Sequence, residues 1–300
     1  MAEEFDELHI IKNNFYAGNY PLVINDTTNP STPQGRLEKQ CLIFRSLIAL
    51  RQYQKIIEEV NDNHPEEFCA IKLLAQYLFA KETNNSGNIE NVLNTINNVL
   101  SNSNTNPIVI LMFAIIYNYE EMVNEALQIL ENVKAKNLEC TAFYIQLLIK
   151  INRTDLAQKE VSQMKSWADD AALAQLAETW LNLALGGDRK YQESFYIFEE
   201  LSQSINSVTP KLLTGKAICK MHASNFAEAE KLLLESLNQN SNDPDTLVNL
   251  IICSRAQGKP EELVNKYIMH LNEVYPNHPY LKDYEEKATL FDNAAKRYTQ

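Results

Sequence analysis

The chain has 300 residues and carries 27 Lys and Arg against 39 Asp and Glu, a formal charge of −12. That balance excludes a surface built to displace counterions from nucleic-acid phosphates or to adhere directly to anionic lipid. Apolar residues at 45% and charged residues at 22% give a globular composition, and only 7 glycines and 10 prolines leave too few turn formers for serial hairpins or a β-barrel. The expected fold class is all-α.

The acidic opening Met1-Ala-Glu-Glu-Phe-Asp-Glu7 is not the positive start of a signal or transit peptide. From there a recurring unit runs down the chain: a helix, a polar turn, an aromatic or β-branched anchor, then a small or aliphatic residue three positions on. The anchors and their followers are Tyr20 with Val23, Tyr53 with Ile56, Ile89 with Val92 and Val123 with Ala126. They continue as Thr154 with Ala157, Tyr191 with Ser194, Phe226 with Ala229 and Pro260 with Leu263. The anchors are on average about 34 residues apart, the length of a tetratricopeptide unit, in which two antiparallel helices approach closely over small residues. In the seventh unit Ala217 and Ala229 face each other across the turn, with Leu233 and Leu237 extending one apolar stripe. In the eighth, Asn242-Asp243 can cap a helix whose first turn holds Pro244, Leu247, Leu250, Leu263 and Tyr267 take the packing positions, and Gly258 fills a turn where positive φ is cheap.

The array therefore reads as one tetratricopeptide-like solenoid over 1–300, with about eight helical hairpins over 8–275 and a capping helix over 279–298 that puts Tyr280, Tyr284, Phe291 and Ala295 on one face. Two stretches are expected to be irregular. Residues 25–35, with Pro30 and Pro33, form a linker. Residues 84–106 carry ten asparagines in 23 positions, which should shorten or loosen their helix.

Motifs for chemistry are absent. Gly215-Lys216 lacks the remaining residues of a phosphate loop and reads as mid-helix. His9, His64, His222, His270 and His278 show no metal-ligand pairing. The acidic pairs Glu120-Glu121, Glu199-Glu200 and Glu261-Glu262 fall on predicted helices and read as solvated faces. Cys41, Cys69, Cys140, Cys219 and Cys253 are odd in number and contain no C-x-x-C; Cys219 and Cys253, 34 apart, repeat as core positions. The ten-residue apolar run 108–117 is half the length a membrane-spanning helix needs and reads as a first helix buried between repeats. No catalytic residue, cofactor or metal is expected, and the reading is of a soluble cytosolic protein.

The inner face is the candidate site. Tetratricopeptide domains that hold a terminal carboxylate line this face with Lys, Asn and Arg. The corresponding positions here are Ile115, Gln146, Leu183, Ile218 and Ile252, with Leu111, Ala142 and Val248 beside them. An inner surface this apolar has to be covered. The expected protein-binding residues are Leu111, Ile115, Leu183, Ile218, Val248 and Ile252.

Several collinear stretches resemble the ε subunit family of coatomer: Ile11-Lys-Asn-Asn-Phe-Tyr-Ala-Gly-Asn-Tyr20, Leu138-Glu-Cys-Thr-Ala142, Arg153-Thr-Asp-Leu-Ala-Gln-Lys-Glu160, Leu176-Ala-Glu-Thr-Trp180 with Gly186-Gly187, Tyr196-Ile-Phe198, Asp245-Thr-Leu-Val-Asn-Leu-Ile251 with Gly258-Lys-Pro260, and the tail His278-Pro-Tyr-Leu-Lys-Asp-Tyr284 with Lys296-Arg-Tyr298. The resemblance is weakest over 25–40 and 84–106. It implies a helical superhelix that clasps the C-terminal region of the coatomer alpha subunit and stabilises it in the COPI coat. The implied pathway is Golgi-to-ER and intra-Golgi transport. The implied location is the cytoplasm and the cytoplasmic side of Golgi membranes and COPI vesicles, reached only through the coat. The alternative is a SNAP-type tetratricopeptide adaptor that recruits an ATPase to SNARE bundles, though such adaptors present charged faces where these positions are aliphatic.

Overall fold

The computed structural model describes residues 6–101, 106–135 and 137–298. Among them are 17 helices: α1 (His9–Tyr16), α2 (Tyr20–Ile24), α3 (Pro33–Ala49), α4 (Tyr53–Glu59), α5 (Glu66–Glu82), α6 (Ser86–Ser101), α7 (Pro107–Tyr119), α8 (Val123–Glu131), α9 (Leu138–Lys150), α10 (Thr154–Ala168), α11 (Ala172–Leu185), α12 (Asp188–Ser204), α13 (Pro210–His222), α14 (Phe226–Gln239), α15 (Pro244–Ala256), α16 (Glu261–Val274) and α17 (Pro279–Ala295). In chain order they alternate as first and second helices of eight repeats, with α17 left over as the cap. The described residues contain no strand.

Local chemistry sets where these helices begin. Thr32, Asn106, Asn137, Thr209, Asp243 and His278 each accept a hydrogen bond from an amide in the first turn of the helix that follows, and Pro33, Pro107, Pro210, Pro244 and Pro279 stand at the first helical position. Proline belongs there because its missing N–H would have no partner in that turn anyway.

The turns that end the first helices are equally regular. Gly18, Arg51, Asn84, Glu121, Asn152, Ser224 and Gly258 all sit at positive φ, between 54° and 85°. The amide after each reaches back to the last helical turn, as Gln52 does to the Leu47 carbonyl at 2.9 Å and Asn225 to the Lys220 carbonyl at 2.8 Å. This left-handed cap satisfies carbonyls that the helix end would otherwise orphan. Most of these positions are filled by residues other than glycine, which is how a glycine-poor chain still makes so many tight turns.

The followers of the sequence anchors form one structural slot. Val23, Ile56, Val92, Ala126, Ala157, Ser194 and Ala229 are each no more than 5% exposed. The eighth unit is displaced by one residue: Pro260 lies outside α16 as its N-cap, and Val264, not Leu263, is fully buried. Pro260 holds a non-helical ψ of 137° and caps the helix instead of opening it, so the helix and its slot begin one residue later.

Other expectations need correction. α6 is a regular helix from Ser86 to Ser101, because its asparagines fall on its exposed side while Val92 and Ile96 are buried and Ile89, Leu93, Val99 and Leu100 pack beside them; residues 102–105 of the asparagine-rich stretch lie outside the described residues. The linker is shorter than expected, since Pro33 and Gly35 already belong to α3. Glu120 and Glu121 are not helical: Glu120 is the C-cap of α7, accepts from the Tyr77 hydroxyl and pairs with Lys81 at 2.7 Å, and Glu121 is the left-handed turn residue. In α17 the buried residue is Leu281, whereas Phe291 is 72% exposed. Only the start of that helix packs on the repeat before it.

The chain divides at Gly186–Gly187 into two compact units, 1–186 and 187–300. The core of the first runs through α3 to α9, with Tyr77, Phe113, Met112 and Ile116 fully enclosed. The core of the second consists of a cluster around Ala217, Ala229, Leu233, Leu250 and Cys253 and another around Leu247, Ile251, Val264, Leu271 and Leu281.

Candidate interaction surfaces

In the first unit the first helices of successive repeats surround a cavity of about 1120 Å³, walled by α1, α3, α5, α7, α9 and the start of α11, with Val99 of α6 beside them. Its lining mixes apolar side chains such as Leu73 and Phe113 with charged ones. Lys12 lies 3.0 Å from both Asp6 and Glu38. Asn106 donates through Nδ2 to Glu66 and Glu67 at 2.9 and 2.8 Å. Glu66, Glu67 and Glu139 occupy first turns, where a negative charge offsets the positive end of the helix dipole.

The most far-reaching contact at this cavity joins Arg45 on α3 to Glu139 on α9. One guanidinium nitrogen of Arg45 lies 3.0 and 2.9 Å from the two carboxylate oxygens. The Phe15 ring lies under the guanidinium, 4.7 Å from its centroid, a cation–π contact. Burial opposes the Arg45 charge, but the Glu139 carboxylate more than offsets it and raises the guanidinium pKa. Burial, and after it the charge of the Glu139 carboxylate, push the Tyr16 hydroxyl well above the ordinary tyrosine value. Arg45 was visible in the sequence only as a lone cation in the run Cys41-Leu-Ile-Phe-Arg-Ser-Leu47, and its partner lies 94 residues away.

The six residues expected on the inner face are placed as follows. None of them lines the cavity. Leu111 is 3% exposed and belongs to the core of the first unit. Ile115 and Leu183 are half-buried. In the second unit Ile218 and Val248 are half-buried and Ile252 is 42% exposed, on the first helices α13 and α15. Beyond them on the same unit Tyr280 and Tyr284 stack with centroids 6.5 Å apart, and Arg255 lies 5.0 Å from the Tyr284 ring and 3.3 Å from its hydroxyl. This surface joins apolar side chains to a rigid aromatic–cation corner, a composition that suits protein contact.

The described residues contain no group of three or more His, Cys, Asp or Glu placed to hold a metal ion. Burial pushes the thiols of Cys41, Cys140 and Cys219 up to about 12, so these sulfurs stay protonated and unreactive. No helix among the described residues is long and apolar enough to cross a membrane.

A family model described as the coatomer epsilon subunit matches residues 4–299. The chain is 36% identical to coatomer subunit epsilon-1 of Arabidopsis thaliana, over 98% of this chain and 97% of that protein. It is 33% identical to coatomer subunit epsilon of Dictyostelium discoideum, over 98% and 99%. Among solved structures, a tetratricopeptide repeat protein from Parabacteroides merdae superposes with a TM-score of 0.58 at 14% identity, over 92% of this chain and 96% of that one. At that identity the likeness concerns the fold alone.

Proposed function

The chain belongs to the coatomer epsilon subunit family, and on that premise we propose that it acts as a structural subunit of the COPI coat by holding the C-terminal region of the coatomer alpha subunit. Coatomer subunits and tetratricopeptide-like folds are structural families, and we assign the chain no catalytic role. The SNAP-type adaptor reading is set aside by the family membership.

The observation that carries the proposal is the row Ile218, Val248 and Ile252 on successive first helices of the second unit, apolar yet incompletely covered. A soluble protein gains by covering such a row, and an obligate contact is the kind of interface that is rich in apolar area. In the first unit Ile115 and Leu183 are proposed separately as partner contacts, with Leu111 in the core of that unit. The chain would meet Golgi membranes only through the coat, in Golgi-to-ER and intra-Golgi transport. Isolating the native complex from cytosol under gentle conditions tests this. Recovery of the alpha subunit in one-to-one ratio, retained through gel filtration, supports the proposal. Recovery of the chain alone, or with an ATPase and SNAREs in place of alpha, overturns it.

A further inference from the structure

α17 has the packing register of a first helix but lacks the second helix that would complete its repeat. Leu213, Leu247 and Leu281 follow one another at intervals of 34 residues. Each stands in the first turns of its helix behind a proline at the first helical position, and the three are 2%, 0% and 6% exposed. Further along α15, Leu250 and Ser254 are fully buried, and α15 packs on α16, the second helix of its own repeat. The matching residues of α17 are Tyr284, which is 42% exposed, and Ala288, also exposed. From Leu281 an apolar stripe continues at helical spacing through Tyr284, Ala288, Phe291, Ala295 and Tyr298. Most of it is open: Phe291 is 72% and Tyr298 89% exposed. Among the described residues no second helix follows α17.

Charge indicates the orientation of the missing helix. In the seventh repeat the basic end of the first helix meets the acidic start of the second: Lys220, in the last turn of α13, pairs with Glu228, in the first turn of α14, at 2.8 Å. The second helices α8, α10, α12 and α16 also open with an acid in the first turn, where it suits the positive end of the helix dipole. α17 ends in the basic pair Lys296-Arg297. We propose that α17 is a docking seat for a helix of another chain of the coatomer assembly. That helix packs antiparallel along the open stripe as the second helix of a ninth repeat, with an acidic first turn beside Lys296-Arg297 and apolar residues on Tyr284, Ala288, Phe291 and Tyr298. A second copy of this chain is a poor occupant. Its α8, α10, α14 and α16 already pack on the first helices of their own repeats, so it would have to break a repeat to lend one. A lipid surface is no better, because Glu285 and Asp292 flank the stripe where interfacial helices carry Lys and Arg.

Two measurements on the full chain test this. The first is hydrogen exchange of wild type and Phe291→Asp, each free and within the isolated native coatomer assembly. Covering a side chain the size of Phe291 should slow exchange over residues 285–298 about tenfold or more in the wild-type assembly relative to the free chain. In Phe291→Asp that slowing should vanish while α13 and α15 exchange as in wild type. Circular dichroism of the free variant should match wild type, since Phe291 is exposed. Equal exchange at 285–298 in free and assembled wild type, or slowing that survives Phe291→Asp, overturns the seat. The second measurement places p-benzoylphenylalanine at position 291 and identifies what it cross-links to in the assembly. A single helical segment of another subunit, with an acid in its first turn, supports the seat. Cross-links to a second copy of this chain, to lipid or to the chain's own residues overturn it, as does the absence of any. The exchange of α13 and α15 on assembly reports separately on the row Ile218, Val248 and Ile252, so the two readings stand or fall independently.

Discussion

Gly215 on α13 faces Phe198 on α12 so closely that a Cβ on the glycine would stand 2.7 Å from the Phe198 Cε1 and Cζ. Phe198 is itself buried in the second unit, so its ring has little freedom to retreat. The sequence reading saw Gly215 only as a mid-helix residue, and its role is to let two helices meet. Gly215→Ala improves helix propensity by about 1 kcal/mol but overpacks the contact. The expected outcome is a net loss of about 1–2 kcal/mol, read as a lower midpoint in urea with an unchanged slope. A raised midpoint would show that the ring moves aside freely.

Ala229 occupies the fully buried slot of the seventh repeat, while Ala227, two residues earlier, is exposed. Ala229→Leu is expected to cost about 1–3 kcal/mol by forcing α13 and α14 apart, and Ala227→Leu to change stability by less than about 0.5 kcal/mol. Thermal melts of the two variants check this; equal melting temperatures would contradict the repeat register.

Glu121 holds a left-handed backbone at φ 61°, a conformation that costs a residue with a Cβ about 1–2 kcal/mol. Glu121→Gly removes that strain and gives back part of it through the greater freedom of the unfolded chain. A stabilisation of about 0.5–1 kcal/mol is expected. A destabilised variant would mean that the Glu121 side chain contributes more than its backbone costs.

Two aspartates near the N-terminus make the first unit sensitive to acid. Burial opposes the charge of Asp6, but Lys12 and the Leu8 amide hold its carboxyl below the ordinary aspartate value. Burial likewise opposes Asp26, which Lys39 and Thr28 hold down. A depressed folded-state pKa gives stability that is complete above the unfolded pKa and lost as pH falls through the folded one. The double variant Asp6→Asn, Asp26→Asn should therefore melt below wild type at pH 7, and the two should converge as pH falls below about 4. A gap that stays constant down to pH 3 would contradict this.

How much of this was legible in the sequence depended on the range of the interaction. Caps and turns are local, so Asp243-Pro244 and Gly258 could be read directly, and the period placed seven of the eight buried slots. The eighth slipped because Pro260 has the spacing of an anchor but takes a non-helical ψ and caps the helix. The asparagines of α6 lower its helix propensity, but Ile89, Val92, Leu93 and Ile96 keep a complete apolar stripe whose burial holds the helix. Leu111 was assigned to the inner face, although eight of the 13 residues of α7 are buried and a helix that is apolar nearly all round shows no preferred face. The cavity was not foreseen at all. Its lining joins residues from seven helices, and its central ion pair spans 94 positions, which no local pattern records.

The central claim is that the apolar row of the second unit holds the alpha subunit. It is tested most directly by measuring the affinity of the Ile218→Asp, Ile252→Asp double variant for the C-terminal region of alpha, with circular dichroism on the free variant. The account expects a helical, folded variant whose binding is abolished, because each carboxylate would be stranded unpaired in a dry contact. A folded variant that binds alpha with wild-type affinity would contradict it.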